Sequence, residues 1–170
     1  ETVLTHAKLE AGKTTYTIES VRAGEILTAI DSLTAPQRAA KQLAYDCTGC
    51  DRRLEVKADR DKLTQILLNV IGNAVKFTPE NGSITVRTAV LEPSVAQFEI
   101  ADSGVGMAAD QVARVFEPYT QFESSLSGQS RGTGLGMPIS RELARGMGGD
   151  LTVESTLGAG TTFRLVLPLA

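Results

Sequence analysis

DRDKLTQILLNVIGNAVKFT, Asp59 to Thr78, is the stretch whose reading decides the fold. Leu63, Ile66, Leu67, Val70, Ile71 and Ala74 recur at the i, i+3, i+4 spacing of an amphipathic helix. Asp59 or Asp61 offers a carboxylate to cap its start, and Pro79 followed by Asn81-Gly82 stops it. Each helical residue turns the chain by about 100°, so Asn69, Asn73 and Lys76 share a wedge of roughly 60° lying about a third of a turn from the apolar stripe. Asparagine is a mediocre helix former with better uses at caps and turns. Two of them in mid-helix beside a lysine read either as a polar solvent face or as a carboxamide oxygen that coordinates Mg²⁺ beside a phosphate-seeking lysine.

Working outward from this helix, the upstream chain carries a strand-like alternation in TYTIES (15–20). A helical run over 22–40 is expected to be interrupted or kinked near Pro36. LAYDC (43–47) and RLEVKA (53–58) read as a hairpin pair. Residues 1–12 carry Val3, Leu4, Ala7 and Ala11 at helical spacing up to Gly12, as the end of a helix would. Downstream, SITVRTAVLE (83–92) and VAQFEIAD (95–102) form a hairpin across Pro93-Ser94, and 109–115 supplies a turn or two of helix. Residues 117–134 lose all periodicity and fill with Ser, Gly and Gln. A helix over 137–147 precedes a closing hairpin, DLTVEST (150–156) and TTFRLVLPL (161–169). Helices mixed with antiparallel hairpins imply an α+β class, one sheet with helices on one face.

Composition narrows the function classes. A net charge of −3 with no compensating basic stretch argues against a nucleic-acid binder. No apolar run approaches 18 residues, so no helical membrane span is expected. The first residue is Glu1, as in a piece of a longer chain. Cys47 and Cys50 form one CxxC. Zinc needs about four ligands, and the only histidine, His6, lies far off in sequence. A redox CxxC normally opens a helix beside a strand, whereas this pair is expected in a turn between two strands, as small turn-flanking residues.

Two glycine clusters follow strand-like runs. Asp102-Ser103-Gly104-Val105-Gly106-Met107 ends a strand, where glycines permit positive φ and close backbone approach. Gly132-Thr133-Gly134-Leu135-Gly136 precedes a helix, whose free N–H groups and dipole favour phosphate. GVGMAA (104–109) satisfies G-x-G-x-x-A, but a dinucleotide fingerprint belongs in a parallel βαβ unit, and here the preceding strand sits in a hairpin. No GxxxxGK[ST] occurs, which excludes a P-loop.

Taken in order, these motifs resemble the catalytic, ATP-binding domain of bacterial sensor histidine kinases. LLNVIGNAVKFT (67–78) resembles the family's N box, DSGVGM (102–107) its G1 box, FEPYTQF (116–122) its F box and RGTGLGMPIS (131–140) its G2 box. GGDLTVESTLGAGTTFRLVLP (148–168) resembles the usual closing hairpin. The resemblance implies the Bergerat ATP-binding sandwich, a mixed, mostly antiparallel sheet packed on three helices, over residues 14–170. Residues 1–13 resemble the C-terminal end of the family's dimerisation and phosphotransfer helices.

What the resemblance implies for the site is specific. Asn73 is the expected Mg²⁺ ligand with Asn69 beside it, Lys76 the phosphate contact, and Asp102 the acceptor from the adenine amino group. Gly104 and Gly106 would admit the purine. Gly132, Thr133, Gly134, Leu135 and Gly136 would line the phosphates with Arg131 nearby, and Thr162 would sit near the base. Residues 107–133 would form an ATP lid, mobile without nucleotide over 117–131, anchored by Phe116 and Phe122. Met137-Pro138 depart from the leucine and small residue often found after the G2 box; Pro in a first helical turn is tolerated.

ATPases of the same fold place a glutamate four residues before the metal-binding asparagine as general base. Asn69 occupies that position and cannot accept a proton, which favours phosphoryl transfer over hydrolysis. The alternatives are an ATPase or an anti-sigma serine kinase module of the same fold. Expected cofactors are ATP and Mg²⁺. Expected partners are the kinase's own dimerisation and phosphotransfer domain and a response regulator receiver domain. No nucleic acid or membrane contact is expected of this piece, and its placement would be cytoplasmic. His6 has no adjacent acid and stands too close to LEAG to be the family's phosphorylated histidine, so self-phosphorylation is not expected, and a monomer or weak dimer is.

Overall fold

The central helix forms as its periodicity requires. In the computed structural model, which describes residues 14–121 and 133–170, it spans Arg60–Phe77 and buries Leu63, Ile66, Leu67, Val70, Ile71, Ala74 and Val75. Asp59 is the residue that caps it, accepting the Lys62 N–H at 3.2 Å. At the other end Thr78 turns the chain out, its hydroxyl donating to the Ala74 carbonyl at 2.6 Å.

In chain order the elements are β1 (Glu19–Arg22), α1 (Ala23–Ala40), β2 (Ala44–Gly49), β3 (Glu55–Ala58), α2 (Arg60–Phe77), β4 (Ser83–Glu92), β5 (Val95–Asp102), α3 (Ala109–Arg114), α4 (Gly136–Gly146), β6 (Asp150–Thr156) and β7 (Gly160–Pro168). Five strands form one sheet in the order β2-β4-β5-β7-β6, antiparallel except for the parallel β2–β4 edge. Apolar residues of its inner face (Val86, Phe98, Ile100, Phe163, Leu165) pack with those of α1, α2 and α4 in one core. The outer face carries polar residues, with Arg164 held between Glu99 at 2.9 Å and Glu154 at 2.8 Å. The class is therefore α+β in two layers, as the pattern implied.

Three expectations need correction. The segments 43–47 and 53–58 do not pair as a hairpin. β3 pairs antiparallel with β1, making a separate two-stranded sheet, while β2 pairs parallel with β4. Backbone demand separates them: Ala44 N–H donates to the Gly82 carbonyl at 2.9 Å, while Ala23 N–H takes the Leu54 carbonyl at 2.8 Å. Gly24 lets α1 approach so closely that a Cβ there would lie 2.6 Å from the Arg52 carbonyl. Second, the first strand begins at Glu19 rather than at residue 15. Third, α1 is not interrupted at Pro36 but is one helix from Ala23 to Ala40. Ser32, whose carbonyl loses its i+4 donor there, is exposed, so that carbonyl is open to solvent. Cys47 accordingly lies within β2 and only Cys50 beyond it. The helix expected over 1–13, and His6 with it, lie outside the described residues.

Candidate functional site

The polar wedge of α2 exists as drawn from the sequence. Asn69, Asn73 and Lys76 are half-buried, and Asn69 abuts the start of α4. Asn69 donates from Nδ2 to Ser140 Oγ at 2.9 Å. Gly136 packs on the same carboxamide, since a Cβ there would come within 2.7 Å of Asn69 Oδ1. Lys76 holds its ammonium 5.1 Å from the Phe77 ring centre. The C-terminus of α2 is tied by a residue that sequence reasoning missed. Lys41 Nζ donates to the carbonyls of Val75 and Lys76 at 2.8 Å each and of Thr78 at 3.0 Å. A cation there meets the negative end of the helix dipole. Burial pushes the Lys41 pKa down, with Glu80 opposing. Its signal was a lone lysine just past α1, which points nowhere until β2 brings it beside α2.

Asp102 closes β5, with Ile84 on one side and Thr161 on the other. Its Oδ1 accepts from Gly104 N–H at 2.8 Å and from Thr161 N–H at 3.3 Å. Burial raises the Asp102 pKa above the usual carboxylate value, and these two donors only partly offset it. The loop after Asp102 is fastened to α2, because Val105 N–H donates to the Phe77 carbonyl at 3.2 Å. Asp102, Gly104 and the end of α2 are thus neighbours. Gly106 has φ +65°, and a Cβ there would run into the Thr156 carbonyl.

The register moves one sequence assignment. Side chains of directly paired residues share a sheet face. Thr161 pairs with Asp102, whereas Thr162 pairs with Ala101, on the opposite face. Thr161, one residue earlier, is the threonine at the Asp102 side, and its hydroxyl is 2.9 Å from Ser155 Oγ. Alternation along β7 carries that information, but only once the pairing with β5 is known.

The second glycine cluster opens α4. Leu135 precedes the helix with its side chain fully buried in the core, so only its backbone faces the site side. Thr133 is exposed, and its hydroxyl accepts from Leu135 N–H at 3.4 Å. Gly134, at φ +71°, packs against Tyr119, whose N–H donates to the Gly134 carbonyl at 3.0 Å. This contact joins the two stems of the expected lid. Phe116 is anchored in the domain, edge-on to Phe163 at 6.4 Å, with Arg141 4.6 Å over its ring and bridged to Asp150. Phe122, Arg131 and Gly132 lie outside the described residues, as does the lid between 122 and 132.

The structure therefore gathers Asn69, Asn73, Lys76, Asp102, Gly104, Gly134 and Gly136 around the junction of α2, β5 and α4, and sets Thr162 apart. A helix start with no side-chain cap among the described residues, two carboxamides and an ammonium suit an anion at one end. A half-buried carboxylate suits an amino group at the other. No cluster of three or more His, Cys, Asp or Glu that could hold a metal occurs among the described residues.

Comparison with known proteins follows the same lines. The profile for histidine kinase-, DNA gyrase B-, and HSP90-like ATPase matches residues 58–170. The aerobic respiration control sensor protein ArcB of Escherichia coli (strain K12) is 38% identical over 94% of this chain and 21% of its own length. An uncharacterized sensor-like histidine kinase, R01002, of Rhizobium meliloti (strain 1021) is 33% identical over 98% of this chain and 32% of its own length. Among solved structures, full-length ShkA in complex with AMPPNP superposes with a TM-score of 0.83 at 33% identity, covering 99% of this chain and 35% of that one. The chain thus spans between a fifth and a third of the curated relatives it matches, and the fold is that of a histidine kinase catalytic domain.

Proposed function

This chain belongs to the histidine kinase-, DNA gyrase B- and HSP90-like ATPase family, and we propose that it is the ATP-binding catalytic domain of a two-component sensor histidine kinase. It would hold Mg-ATP for phosphoryl transfer to a histidine on a separate dimerisation domain, with a response regulator receiver domain as the next acceptor. ATP is supported by the likeness to ShkA, solved with AMPPNP. The sensor kinase assignment is supported by ArcB and R01002.

The chain's own residues suit that work. Asp102 would accept from the adenine amino group through Oδ2, since Oδ1 already serves Gly104 and Thr161. Thr161 would replace Thr162 beside the base. Lys76, the N–H groups opening α4 and, outside the described residues, Arg131 and Gly132 would take the phosphates. Mg²⁺ usually keeps several waters and takes one or two protein oxygens besides phosphates. Asn73, half-buried on the wedge, fits such a ligand without an all-protein cage. Bound there, the ion would neutralise charge on the phosphate oxygens.

One observation carries the choice of transfer over hydrolysis. Asn69 is neutral and donates to Ser140, so no carboxylate stands at this point to accept a proton from water. Titration calorimetry tests the site. Asn73→Ala should weaken ATP binding with Mg²⁺ present and leave little difference when a chelator is added. Asp102→Asn should weaken ATP and ADP alike. A radiolabelled γ-phosphate should pass to a separately supplied dimerisation fragment, with slow release of inorganic phosphate in its absence. Unchanged affinity in both variants would reject the site, and fast phosphate release without transfer would reject the kinase.

A further inference from the structure

The CxxC at the free edge of the sheet is not used by the proposed site. Cys47 and Cys50 are the only cysteines of the chain. Both are half-buried and free, and both pack on the margin of the core. β2 pairs only with β4 among the described strands. Its register with β4 slips between Asp46 and Gly49: three steps along β2 match two along β4. The slip interrupts regular pairing at Cys47 and Thr48, and such breaks in a ladder re-aim side chains. Immediately afterwards Cys50 N–H donates to the Cys47 carbonyl at 3.2 Å, closing a four-residue turn. Such a turn holds its end Cα atoms within about 7 Å, which overlaps the span a disulfide bridges.

The two sulfurs differ in what they touch. Cys50 Sγ donates to the Val86 carbonyl at 3.2 Å, which commits its one proton there. The neighbouring Cys50 side chain lowers the Cys47 pKa against its burial, with Arg52 helping and Asp31 and Asp46 opposing. The same proximity and burial raise the Cys50 pKa. A thiolate-prone sulfur beside a thiol that stays protonated is the pairing of an attacking and a resolving cysteine. The turn is stiffened around them, because Asp51 N–H donates to Thr88 Oγ1 at 2.7 Å and Thr48 N–H to Asp46 Oδ1 at 2.8 Å. Gly49 allows the close approach to Arg87, where a Cβ would meet the Arg87 side chain at 3.0 Å.

We propose that Cys47 and Cys50 form a thiol–disulfide exchange site that takes low-molecular-weight disulfides, with Cys47 as the attacking and Cys50 as the resolving sulfur. The Cys47 thiolate attacks one sulfur of RSSR, forming a Cys47–S–S–R bond and expelling RS⁻. Cys50 gives up its proton to the expelled thiolate, and its sulfur attacks Cys47 Sγ, forming the Cys47–Cys50 bond and expelling the second RS⁻. With one further proton from solvent, RSSR is reduced to two RSH while the protein dithiol loses two electrons. Oxidation withdraws the Cys50 S–H from the Val86 carbonyl, so the change registers on β4.

Mass spectrometry of the folded chain treated with oxidised glutathione tests this. The wild type should end as an intramolecular disulfide, lighter by two hydrogens and closed to alkylation, with no lasting adduct. Cys50→Ser should stop as a single glutathione adduct on Cys47. Cys47→Ser should react at least about tenfold more slowly near pH 7, since the Cys50 S–H stays committed to the Val86 carbonyl. Circular dichroism checks that each serine variant is folded. A persistent adduct on the wild type, equal rates for the two variants, or thiols that react only in denaturant would each overturn the proposal. None of these outcomes depends on nucleotide binding, so the kinase assignment stands or falls separately.

Discussion

Asp59 is where a single substitution should report most clearly on the helix that carries the site. Its carboxylate does three things at once. Oδ1 caps α2 through the Lys62 N–H, Oδ2 accepts the Thr17 N–H at 2.9 Å, and the Lys62 ammonium lies 3.4 Å from Oδ2. The side chain is only 10% exposed, so these contacts are poorly replaced by water. Losing an N-cap costs about 1 kcal/mol, and losing a hydrogen bond to a charged group costs about 1.5 kcal/mol more. Asp59→Ala should therefore destabilise the fold by about 2.5 kcal/mol, or roughly 5–10 °C in Tm for a chain of this size. Asp59→Asn has one oxygen for two N–H donors and should fall about halfway.

The pH dependence gives an independent handle. Burial acts to raise the Asp59 carboxyl, but the N–H donors of Thr17 and Lys62 and the Lys62 charge outweigh it and hold the pKa below the ordinary value. With the folded pKa depressed, the unfolded chain takes up the proton first as pH falls. The contribution is complete above the unfolded value of about 3.9 and disappears as pH drops through the folded one. Urea unfolding of wild type and Asp59→Asn should thus show a constant gap from pH 8 to 5 that narrows below pH 4. A Tm for Asp59→Ala within a degree of wild type, or a gap unchanged at pH 3, would refute the reasoning.

Two further predictions separate space from charge. Gly72 lies inside α2 with nothing within 4 Å of where a Cβ would stand, so Gly72→Ala should stabilise by about 0.5–1 kcal/mol, whereas Gly106→Ala, strained at φ +65° and driven into Thr156, should cost about 2–3 kcal/mol; urea midpoints distinguish them. Asp102→Asn should raise the unfolding midpoint of the nucleotide-free chain at pH 7, since it removes a charge whose burial raises its pKa. That advantage should vanish below the unfolded pKa, where wild-type Asp102 is itself neutral; thermal scans across pH 3–7 check it.

What could be read from the sequence followed the range of the physics. The α2 helix was legible because its signals are local: a 3.6-residue stripe, a capping carboxylate and a proline stop. The hairpins β4–β5 and β6–β7 were legible because a short turn leaves each strand one obvious partner. β2 and β3 failed for the opposite reason. Their partners, β4 and β1, lie across intervening helices, and alternation alone does not say which edge a strand seeks. The wedge of Asn69, Asn73 and Lys76 followed from helical angles, whereas the neighbourhood of Asp102 with Phe77, and the choice of Thr161 over Thr162, needed the sheet register.

The glycine boxes have a packing role beside the one that the sequence suggests. Sequence reasoning gives those glycines to a ligand that needs close approach. In the folded chain the space beside them is already taken by protein. A Cβ at Gly104 would meet Asp102 Oδ1 at 2.6 Å and the Phe77 carbonyl at 2.7 Å. At Gly136 it would meet the Asn69 carboxamide, and at Gly134 the Tyr119 backbone at 2.7 Å. Gly104 joins β5 to α2 and Gly136 joins α4 to α2, so these glycines draw together the three elements that carry the proposed site. Replacing them perturbs assembly of the site before it perturbs any ligand. Loss of binding in a Gly104 or Gly136 variant therefore cannot separate the two roles. Asp102→Asn, which preserves shape, and Asn73→Ala, on a half-exposed helical position, leave that packing in place and report on the ligand itself.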